Sequence, residues 1–525
     1  MTFGGGVLRR MAVLLVAAVG GFMPTVMAFG ADDQPLPKRQ LSDEELLRKR
    51  IAESLAGLRD SRTPTLQTLR GPELSDREKV VHVLNRLGFG PRPGEVDDVV
   101  KHGGWQAWVK LQLDPAKIDD ATCDRVVSQR FPWAKMSIGE LQKNYEGDRE
   151  NIRNLRSQLP EYVLTRAVLS NRQFMELMCD FWRNHFCVDQ PDTQEKSRSW
   201  TDADYENQVI RPHVFGTFRD MLIASARHPA MLEYLDNKLS RANNWNENYA
   251  REVMELHTLG ADRGYGNSDV VELSKILTGW GYDDTYQFAF NADWHQPGFK
   301  YWLGMKVPAG YAGGVEALTT LANHPNTAQF IAEKLCRYLV NDNPPPELVR
   351  RVASVFRQSG GDLPKVYWAI ISSREFMGRD NYRAKFKTPF QFAVSALRAT
   401  GAKLDSAAQV CHTLEKMGEP IYNCPDPTGW RDQAESWMDA GVLTTRWQFA
   451  WDLARGSVDG VTVSESFFSR YKSDKPEQTE QKMIEELIGG DAGDRELAAL
   501  KEVASNGDVP RMTSILLGSP SFQQR

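Results

Sequence analysis

Two glutamates three positions apart, Glu252 and Glu255, lie in the segment NENYAREVMELHTLG, residues 246–260. At about 100° per residue, a helix places both on one polar face, so their carboxyl groups can approach a single target. Acid/base cleavage of a glycosidic bond requires a pair of carboxyl groups. The same pattern is also typical of a solvated face on which Glu247, Arg251 and Glu255 form ion pairs. Spacing alone leaves both interpretations open.

Other side chains in and around this segment have the chemistry to bind a substrate. Asn248 lies one turn before Glu252, and Arg251 directly precedes it. The chain has fourteen tryptophans and an aromatic stretch over 280–302, and such rings can stack on sugars, although large aromatics usually lie in a core. The candidate substrate-binding residues are Asn248, Arg251, His295, Lys300, Trp182 and Trp294.

The histidines give a weaker indication of chemistry. His257 falls in the middle of the apolar face of the same helix, which favours a packed histidine over a ligand. The sequence has no HExxH, HxH or HxxxH spacing, so a metal site would have to be assembled from separate segments. We name no metal ligand from spacing, leave the cofactor unassigned, and keep one alternative metal-binding set, His185, His213 and His295.

Capping signals bound the helix that carries the glutamates. Asn244 and Glu247 have the spacing of a capping box, and Gly260 supplies a stop, which predicts a helix over 246–259. In the next segment, Ser268 as N-cap and Gly279 as stop predict a second helix over 268–278. The two segments together predict a helical hairpin.

Helical periodicity extends over most of the chain. From residue 76 onward, helical patterns follow one another with short Gly, Pro or Asn breaks. We therefore predict a mainly α, multi-helical globular fold with a few long ordered loops, and a short hairpin or ordered loop in the aromatic, glycine-rich stretch 280–311. The predicted division is a signal peptide over 1–28, a polar arm with one helix over 29–75, a main helical domain over 76–455 and a C-terminal helical segment over 456–525.

The first residues predict export. Arg9 and Arg10 precede an apolar run, and small residues lead to a cleavage site after Ala28. Gly20 and Pro24 interrupt the run before it reaches the roughly 20 apolar residues that a membrane span needs. We expect a periplasmic or secreted protein with no stable membrane span after cleavage, exported by either the Sec or the Tat route.

Composition excludes some classes of partner. The formal net charge is −5 with no dominant basic patch, so nucleic acid is not an expected partner. Six cysteines lie too far apart for a CxxC motif. An oxidising compartment would permit disulfides, and buried free thiols are equally consistent with the sequence.

Eight ordered sequence words give the chain a resemblance to a large bacterial family, catalogued only as a domain of unknown function, number eighteen hundred. The words are HVLNRLGFGPRPGE (82–95), FWRNHF (181–186), RPHVFGTFRDML (211–222), NENYAREVMELHTLG (246–260), DVVELSKILTGW (269–280), HQPGFKYWLG (295–304), FKTPFQF (386–392) and PTGW (427–430). The resemblance implies a secreted, largely helical protein, often encoded beside an exported protein similar to alkaline phosphatases. It implies no reaction and no catalytic residue.

One departure from that family bears on the site. Where the family usually has His-Asp before the glycine, this chain has His295-Gln296. A role that needs a carboxylate there is in doubt, which makes His295 or Lys300 the better candidate.

Three functional hypotheses follow. The leading one is an exported hydrolase or lyase that acts on a carbohydrate polymer with Glu252 and Glu255 as acid and base. The second is a non-catalytic periplasmic scaffold or maturation partner of the alkaline-phosphatase-like protein. The third is a metal-dependent enzyme that uses the scattered histidines His185, His213 and His295.

Overall fold

The computed structural model of the protein describes residues 73–188, 199–490 and 492–525. The predicted signal peptide lies outside these residues, and so does the arm over 29–75 apart from its last three positions. The described residues belong to one compact unit that spans Ile51–Arg525. Helices make up 63% of the structure and strands 5%, which confirms the predicted multi-helical fold.

The first part of the described chain is a succession of helices joined by short turns. Its longest helix, α6, contains Pro160 in its interior. The α-helices are α1 Asp76–Arg86, α2 Glu95–Lys101, α3 Gly104–Gln112, α4 Ala121–Arg130, α5 Ile138–Tyr145, α6 Arg149–Leu169, α7 Gln173–His185, α8 Ser199–Tyr205, α9 Arg211–His213, α10 Phe218–Arg227, α11 Pro229–Tyr234, α12 Asn248–Glu252 and α13 Asn267–Ile276.

The second part continues in the same way to the last described residues. Its helices are α14 Tyr311–Asn323, α15 Pro325–Leu339, α16 Pro346–Gln358, α17 Leu363–Ile371, α18 Pro389–Ala399, α19 Ala408–Lys416, α20 Ala440–Ala454, α21 Glu465–Ser469, α22 Pro476–Ile488, α23 Asp494–Ala504, α24 Val509–Gly518 and α25 Pro520–Gln523. Helix α24 packs against α20. Within the described ranges, no helix is both long and apolar enough to cross a membrane.

Single turns of 3₁₀-helix and two stretches of π-helix supplement these helices. The 3₁₀ turns are Pro115–Lys117, Pro132–Lys135, Asn237–Leu239, Ala292–Trp294, Arg379–Asn381 and Ala434–Ser436. The π-helical stretches are Glu206–Ile210, which directly precedes α9, and Val253–Thr258, which continues α12. A π-helical turn is rare and is often found at functional sites.

The strands form three two-stranded antiparallel sheets. The stretch predicted to hold one short hairpin or a loop contains two hairpins, β1 Trp280–Tyr282 with β2 Phe288–Phe290 and β3 Lys300–Trp302 with β4 Met305–Val307. The third sheet pairs β5 Lys403–Leu404 with β6 Val461–Thr462. In β3 the side chains alternate, so that Lys300 and Trp302 are buried while Tyr301 is exposed.

The structure confirms both segments of the predicted helical hairpin and corrects how they begin. Asn244 does not cap the first helix, because it closes a tight turn with Arg241; instead, the Asn246 Oδ1 accepts the N–H of Asn248 at 2.8 Å. The second helix begins at Asn267 rather than after Ser268. Its N-cap is Gly266, whose N–H donates to Asp269 at 2.8 Å.

One hydrophobic core connects the helices from α1 to α25 and includes residues from Val83 to Phe522. Five of the six cysteines are buried, and Cys123, Cys179, Cys336 and Cys411 are free thiols. This core also contains ion pairs between buried charged side chains. The guanidinium of Arg211 contacts Glu176 at 2.9 and 2.5 Å, and Arg183 contacts Glu206 at 2.9 and 3.1 Å.

Candidate functional site

The end of helix α7 and a distant loop meet to form a polar site. The loop comprises residues 424–432, CPDPTGWRD, and we call it the 424–432 loop. The Asn184 Nδ2 donates to the Trp430 carbonyl at 2.7 Å, and the Trp430 N–H donates to the Asn184 Oδ1 at 2.6 Å. Gly429 has a positive φ of 75° and lies directly against Asn184. Two of the sequence words therefore join in space.

Behind this junction is a cavity of about 60 Å³ that opens to the surface. We call it the carboxyl pocket, and its polar and aromatic lining is Asp180, Arg183, Asn184, Tyr338, Glu419, Tyr422, Trp430 and Asp432. One water molecule needs about 10–15 Å³ of such space, so the cavity has room for about four to six waters but not for a whole sugar chain. A polymer would have to lie across its mouth.

Two carboxyl groups face this cavity, of which Glu419 is buried and Asp180 is half-buried. Helix α7 contributes Asp180, whose Oδ2 accepts the Tyr338 hydroxyl at 3.0 Å and whose Oδ1 lies 3.5 Å from the Arg183 guanidinium. Glu419 follows α19, and its Oε2 accepts the N–H of Phe390 at 2.7 Å, near the start of α18. The carboxylates are therefore positioned by three different helices and their ends.

The surroundings of the two carboxyl groups differ. Burial and then the Asp180 charge raise the pKa of Glu419 to about 8. Burial also raises the pKa of Asp180, but the Arg183 charge and the Tyr338 hydrogen bond favour its ionised form. At neutral pH, Glu419 is mainly a protonated acid beside an ionisable partner, as in enzymes that assign the two roles of acid and base to two carboxyl groups.

A buried ion-pair network lies next to the carboxyl pocket and is connected to it through the lining residues Arg183 and Tyr422. Glu206 is fully buried. Its carboxylate accepts two hydrogen bonds from the Arg183 guanidinium and one from the Tyr422 hydroxyl. Burial acts to raise the pKa of Glu206, but the Arg183 guanidinium outweighs it and the pKa lies below its ordinary value. Glu206 begins the π-helical stretch before α9, so the irregular turn contributes to this ion-pair network. The Arg183 guanidinium lies 5.6 Å from the Tyr422 ring.

The glutamates that the sequence singled out, Glu252 and Glu255, lie near Asp426 of the 424–432 loop. Glu252 and Glu255 are half-buried, and partial burial followed by the Glu255 charge raises the pKa of Glu252. The Asp426 carboxylate, at the start of the loop, raises it further. The two glutamates are thus close in space, as the shared helical face predicts, although Glu255 belongs to the π-helical continuation of α12.

The expected substrate-binding partners of these glutamates are engaged elsewhere. Arg251 bonds to Glu247 and to Asn267, both at 3.1 Å, while Asn248 is exposed at the start of α12. His295 and Lys300 form a buried pair with 3.1 Å between the His295 Nε2 and the Lys300 Nζ. In the described part of the chain, no hydrogen bond links this pair to the glutamates.

Contacts fix the ring of His295. Its Nε2 accepts the N–H of Gly310 at 2.8 Å, so its Nδ1 carries the proton and donates to the Thr278 carbonyl at 2.9 Å. Lys300 also donates to the Gln296 carbonyl. The pair therefore joins the β3–β4 hairpin to the end of α13.

The two predicted stacking tryptophans have different surroundings. Trp182 is fully buried, and its Nε1 donates to the Tyr367 hydroxyl at 2.7 Å, so its ring presents no surface to a sugar. Trp294 is 37% exposed, and the Arg241 guanidinium lies 3.8 Å from the centre of its ring. Trp430, which the sequence pattern did not single out, is the tryptophan that lines the carboxyl pocket.

The histidines of the alternative metal set each have a separate hydrogen-bond partner. His185 contacts the His257 carbonyl at 3.1 Å, His213 contacts the Val209 carbonyl at 2.8 Å, and His295 is bound as described above. Across residues 73–188, 199–490 and 492–525, no three His, Cys, Asp or Glu side chains are grouped so as to bind a metal ion. The geometry therefore does not bring His185, His213 and His295 together as one ligand set.

The sequence missed Asp180, Arg183, Glu206 and Glu419 as site residues. Asp180 directly precedes the word FWRNHF, which contains Arg183, and Glu419 lies eight residues before PTGW. Those words were the available signal, since they mark the segments that the fold brings together.

Comparisons with known proteins give one match. The model of a family described as Protein of unknown function (DUF1800) matches residues 82–524. No curated protein and no solved structure matches the chain.

Proposed function

The chain belongs to the family described as Protein of unknown function (DUF1800), and we propose that it is an exported hydrolase or lyase that acts on a carbohydrate polymer. The observation that carries the proposal is that Asp180 and Glu419 line one cavity in unlike surroundings. Glu419 is the proton donor in this proposal, and Asp180 is the base.

The proposed division of roles follows from the hydrogen bonds. Glu419 is retained as a neutral acid by burial and by the neighbouring Asp180, so a proton is available near neutral pH. Asp180 accepts from Tyr338 and lies beside Arg183, which stabilises a carboxylate able to take a proton from water or from a sugar carbon. Either transfer matches the reaction class: attack by water for a hydrolase, proton abstraction for a lyase.

A carbohydrate is the substrate class that this lining favours. Trp430 offers an aromatic ring for stacking, Asn184 an amide and Arg183 a guanidinium, which together suit hydroxyl-rich rings. The small volume of the carboxyl pocket would admit the scissile linkage and a water molecule, with the remainder of the polymer outside.

Glu252 and Glu255 are a second candidate acid/base pair for the same reaction. In favour of this pair is the raised pKa of Glu252, which results from partial burial and from Glu255. Asn248, Arg251, His295 and Lys300 remain proposed substrate contacts around this pair. Neither Glu252 nor Glu255 lines the carboxyl pocket, so the two pairs can be tested independently.

The compartment and the partner are also proposals. The charged start, apolar run and small-residue exit of residues 1–28 support export to the periplasm or beyond. If the protein is instead a scaffold for an alkaline-phosphatase-like exported protein, it should bind that partner and leave glycans intact.

The decisive experiment compares Asp180→Asn and Glu419→Gln with Glu252→Gln and Glu255→Gln in a glycan-cleavage screen of the purified mature protein. We expect the first two variants to lose at least about 100-fold in kcat, the range that removal of a general acid or base produces, while substrate binding persists. Matched controls are Asp220→Asn and Glu415→Gln, whose side chains are 50% and 59% exposed.

A loss of kcat confined to the Glu252 and Glu255 variants would assign the acid and base roles to Glu252 and Glu255. Failure of the wild-type protein to bind or cleave any polysaccharide in the screen would refute the carbohydrate proposal. Cell fractionation that recovered residues 1–28 on soluble cytoplasmic protein would refute export.

A further inference from the structure

A group of titratable and aromatic side chains lies around Lys334, on helix α15. The Lys334 Nζ lies 5.5 Å from the centre of the Phe330 ring, one turn earlier on the same helix. The rings of His185 and His257 lie beside it, 6.1 Å apart between centres, and His185 is 6.4 Å from Phe330. We call these four residues the Lys334 cluster.

Polar atoms in this cluster lack partners. His257 is 1% exposed, yet neither of its ring nitrogens has a hydrogen bond. The Nδ1 of His185, also buried, has none. Within the described residues, the Lys334 amine makes no hydrogen bond and no ion pair, and its side chain retains part of its surface. Buried polar groups are normally satisfied, so such a grouping calls for a water or a ligand.

We propose that Lys334 is a carbonyl-reactive amine that takes up a small aldehyde, with His257 as the group that transfers the proton. The amine has no competing acceptor, and it lies against an aromatic ring in surroundings that disfavour its charge. A neutral imidazole beside it can donate to the carbonyl oxygen with one nitrogen and accept a proton with the other.

The charges around Lys334 agree with that chemistry. Burial lowers the pKa of Lys334 to about 8, with Arg337 acting in the same direction and Asp432 and Cys187 opposing it. Burial, and then the Lys334 charge, lower the pKa of His257 to about 3, so its ring is neutral at pH 7. Burial, the Lys334 charge and the His257 charge hold the pKa of His185 well below its ordinary range.

The reaction balances without a redox partner. The neutral amine forms a C–N bond with the carbonyl carbon while the π pair moves to the oxygen. One nitrogen proton passes through His257 to the alkoxide, which becomes a hydroxyl. The second nitrogen proton passes to this hydroxyl by the same route, and the departure of water leaves an imine. One amine and one aldehyde thus give one imine and one water. Neither Asp180 nor Glu419 takes part, so this inference does not depend on the proposed function.

The experiment is reductive trapping on the full-length mature protein. Glycolaldehyde is the probe and sodium cyanoborohydride supplies the hydride, at pH 7, with peptide mass spectrometry as readout. A pKa of about 8 against the ordinary 10.5 gives roughly 300 times more neutral amine at pH 7. We therefore expect Lys334 to be labelled at least tenfold faster than the exposed Lys416 and Lys472, with a rate midpoint near pH 8.

Three controls make the outcome decisive. Lys300 also has a lowered pKa but is hydrogen-bonded and buried, so we expect slow labelling there. Lys334→Arg should lose the label on that peptide alone, and the Asp180→Asn variant should label like wild type. Labelling of Lys334 no faster than that of Lys472 would overturn the proposal. An unchanged rate in His257→Leu would overturn the proton-transfer role of His257, whereas a slower rate with a shifted pH profile would support it.

Discussion

Asn184 and Trp430, which lie far apart in the chain, exchange two hydrogen bonds, at 2.7 Å from the Asn184 amide to the Trp430 carbonyl and at 2.6 Å in return. A side-chain amide that satisfies both backbone groups of one residue behaves like a paired strand, so it fixes the position of that residue along its loop. The carboxyl pocket depends on this junction, because both residues line it.

Gly429→Ala should disturb this junction more than an alanine at another left-handed glycine. A Cβ at Gly429 would lie 2.3 Å from the Asn184 carbonyl oxygen, whereas at Gly418, with a similar positive φ, nothing lies within 4 Å. We expect Gly418→Ala to cost about 1 kcal/mol for the backbone conformation and Gly429→Ala about 1–3 kcal/mol more. Urea unfolding of both variants tests this, and equal losses would show that the loop shifts freely.

Glu206→Gln should be strongly destabilising. The carboxylate of Glu206 is fully buried and accepts from Arg183, so its neutralisation leaves the guanidinium with only the longer contact to Asp180, at 3.5 Å, as counter-charge. Breaking a buried pair on one side typically costs about 3–5 kcal/mol. Chemical denaturation gives the free energy of unfolding. The control is Glu347→Gln, whose exposed pair with Arg350 should contribute less than about 1 kcal/mol. A small loss of unfolding free energy in Glu206→Gln would mean that water reaches this buried ion pair.

Local sequence signals predicted the helices well because helical periodicity and glycine stops act within a few residues. Residues 248–258 are helical and are followed by Gly260 in a left-handed conformation, and the next helix ends before Gly279. The caps were less predictable, since Asn244 and Asn246 have the same chemistry and only the turn with Arg241 decides between them. The π-helical stretch has no local signature either.

The site was less accessible to sequence reasoning because tertiary packing assembles it. Asp180 and Glu419 share no element and no spacing, so only the junction of α7 with the 424–432 loop reveals that they face one cavity. Trp182 illustrates the converse. Its position on an apolar stripe fits core packing as well as sugar stacking, and its bond to Tyr367 shows the former.

The buried His257 should make the protein less stable in mild acid. Its pKa is lowered from 6.5 to about 3, so the unfolded state binds the proton more readily than the folded state. Stability therefore rises with pH across this window and is lost as pH falls below 6.5, by about 1.4 kcal/mol per pH unit from this residue.

His257→Leu should flatten that dependence between pH 6.5 and 4.5, a range in which urea unfolding can be followed. The exposed His412 is the matched control, because His412→Gln should leave the wild-type slope intact. An identical slope in His257→Leu and wild type would show that His257 stays unprotonated in the unfolded state as well, or that its burial is relieved by water.

Glu419 should produce the opposite pH dependence at higher pH. Its pKa is raised from 4.5 to about 8, so the folded state binds the proton more readily than the unfolded state. Its contribution to stability is fully present below pH 4.5 and is lost as pH rises through 8, at about 1.4 kcal/mol per pH unit. Glu419→Gln retains a neutral side chain of the same shape. We therefore expect the stability of the variant, relative to wild type, to increase steadily from pH 5 to pH 8.

Glu415→Gln, at an exposed glutamate on α19, is the control and should show no such trend. The same titration bears on chemistry, because a carboxyl group that is already ionised at pH 6 cannot be the proton donor of the proposed reaction. A relative stability of Glu419→Gln that stays flat between pH 5 and pH 8 would therefore remove Glu419 as the acid, and the pH profile of glycan cleavage should then show no falling limb near pH 8.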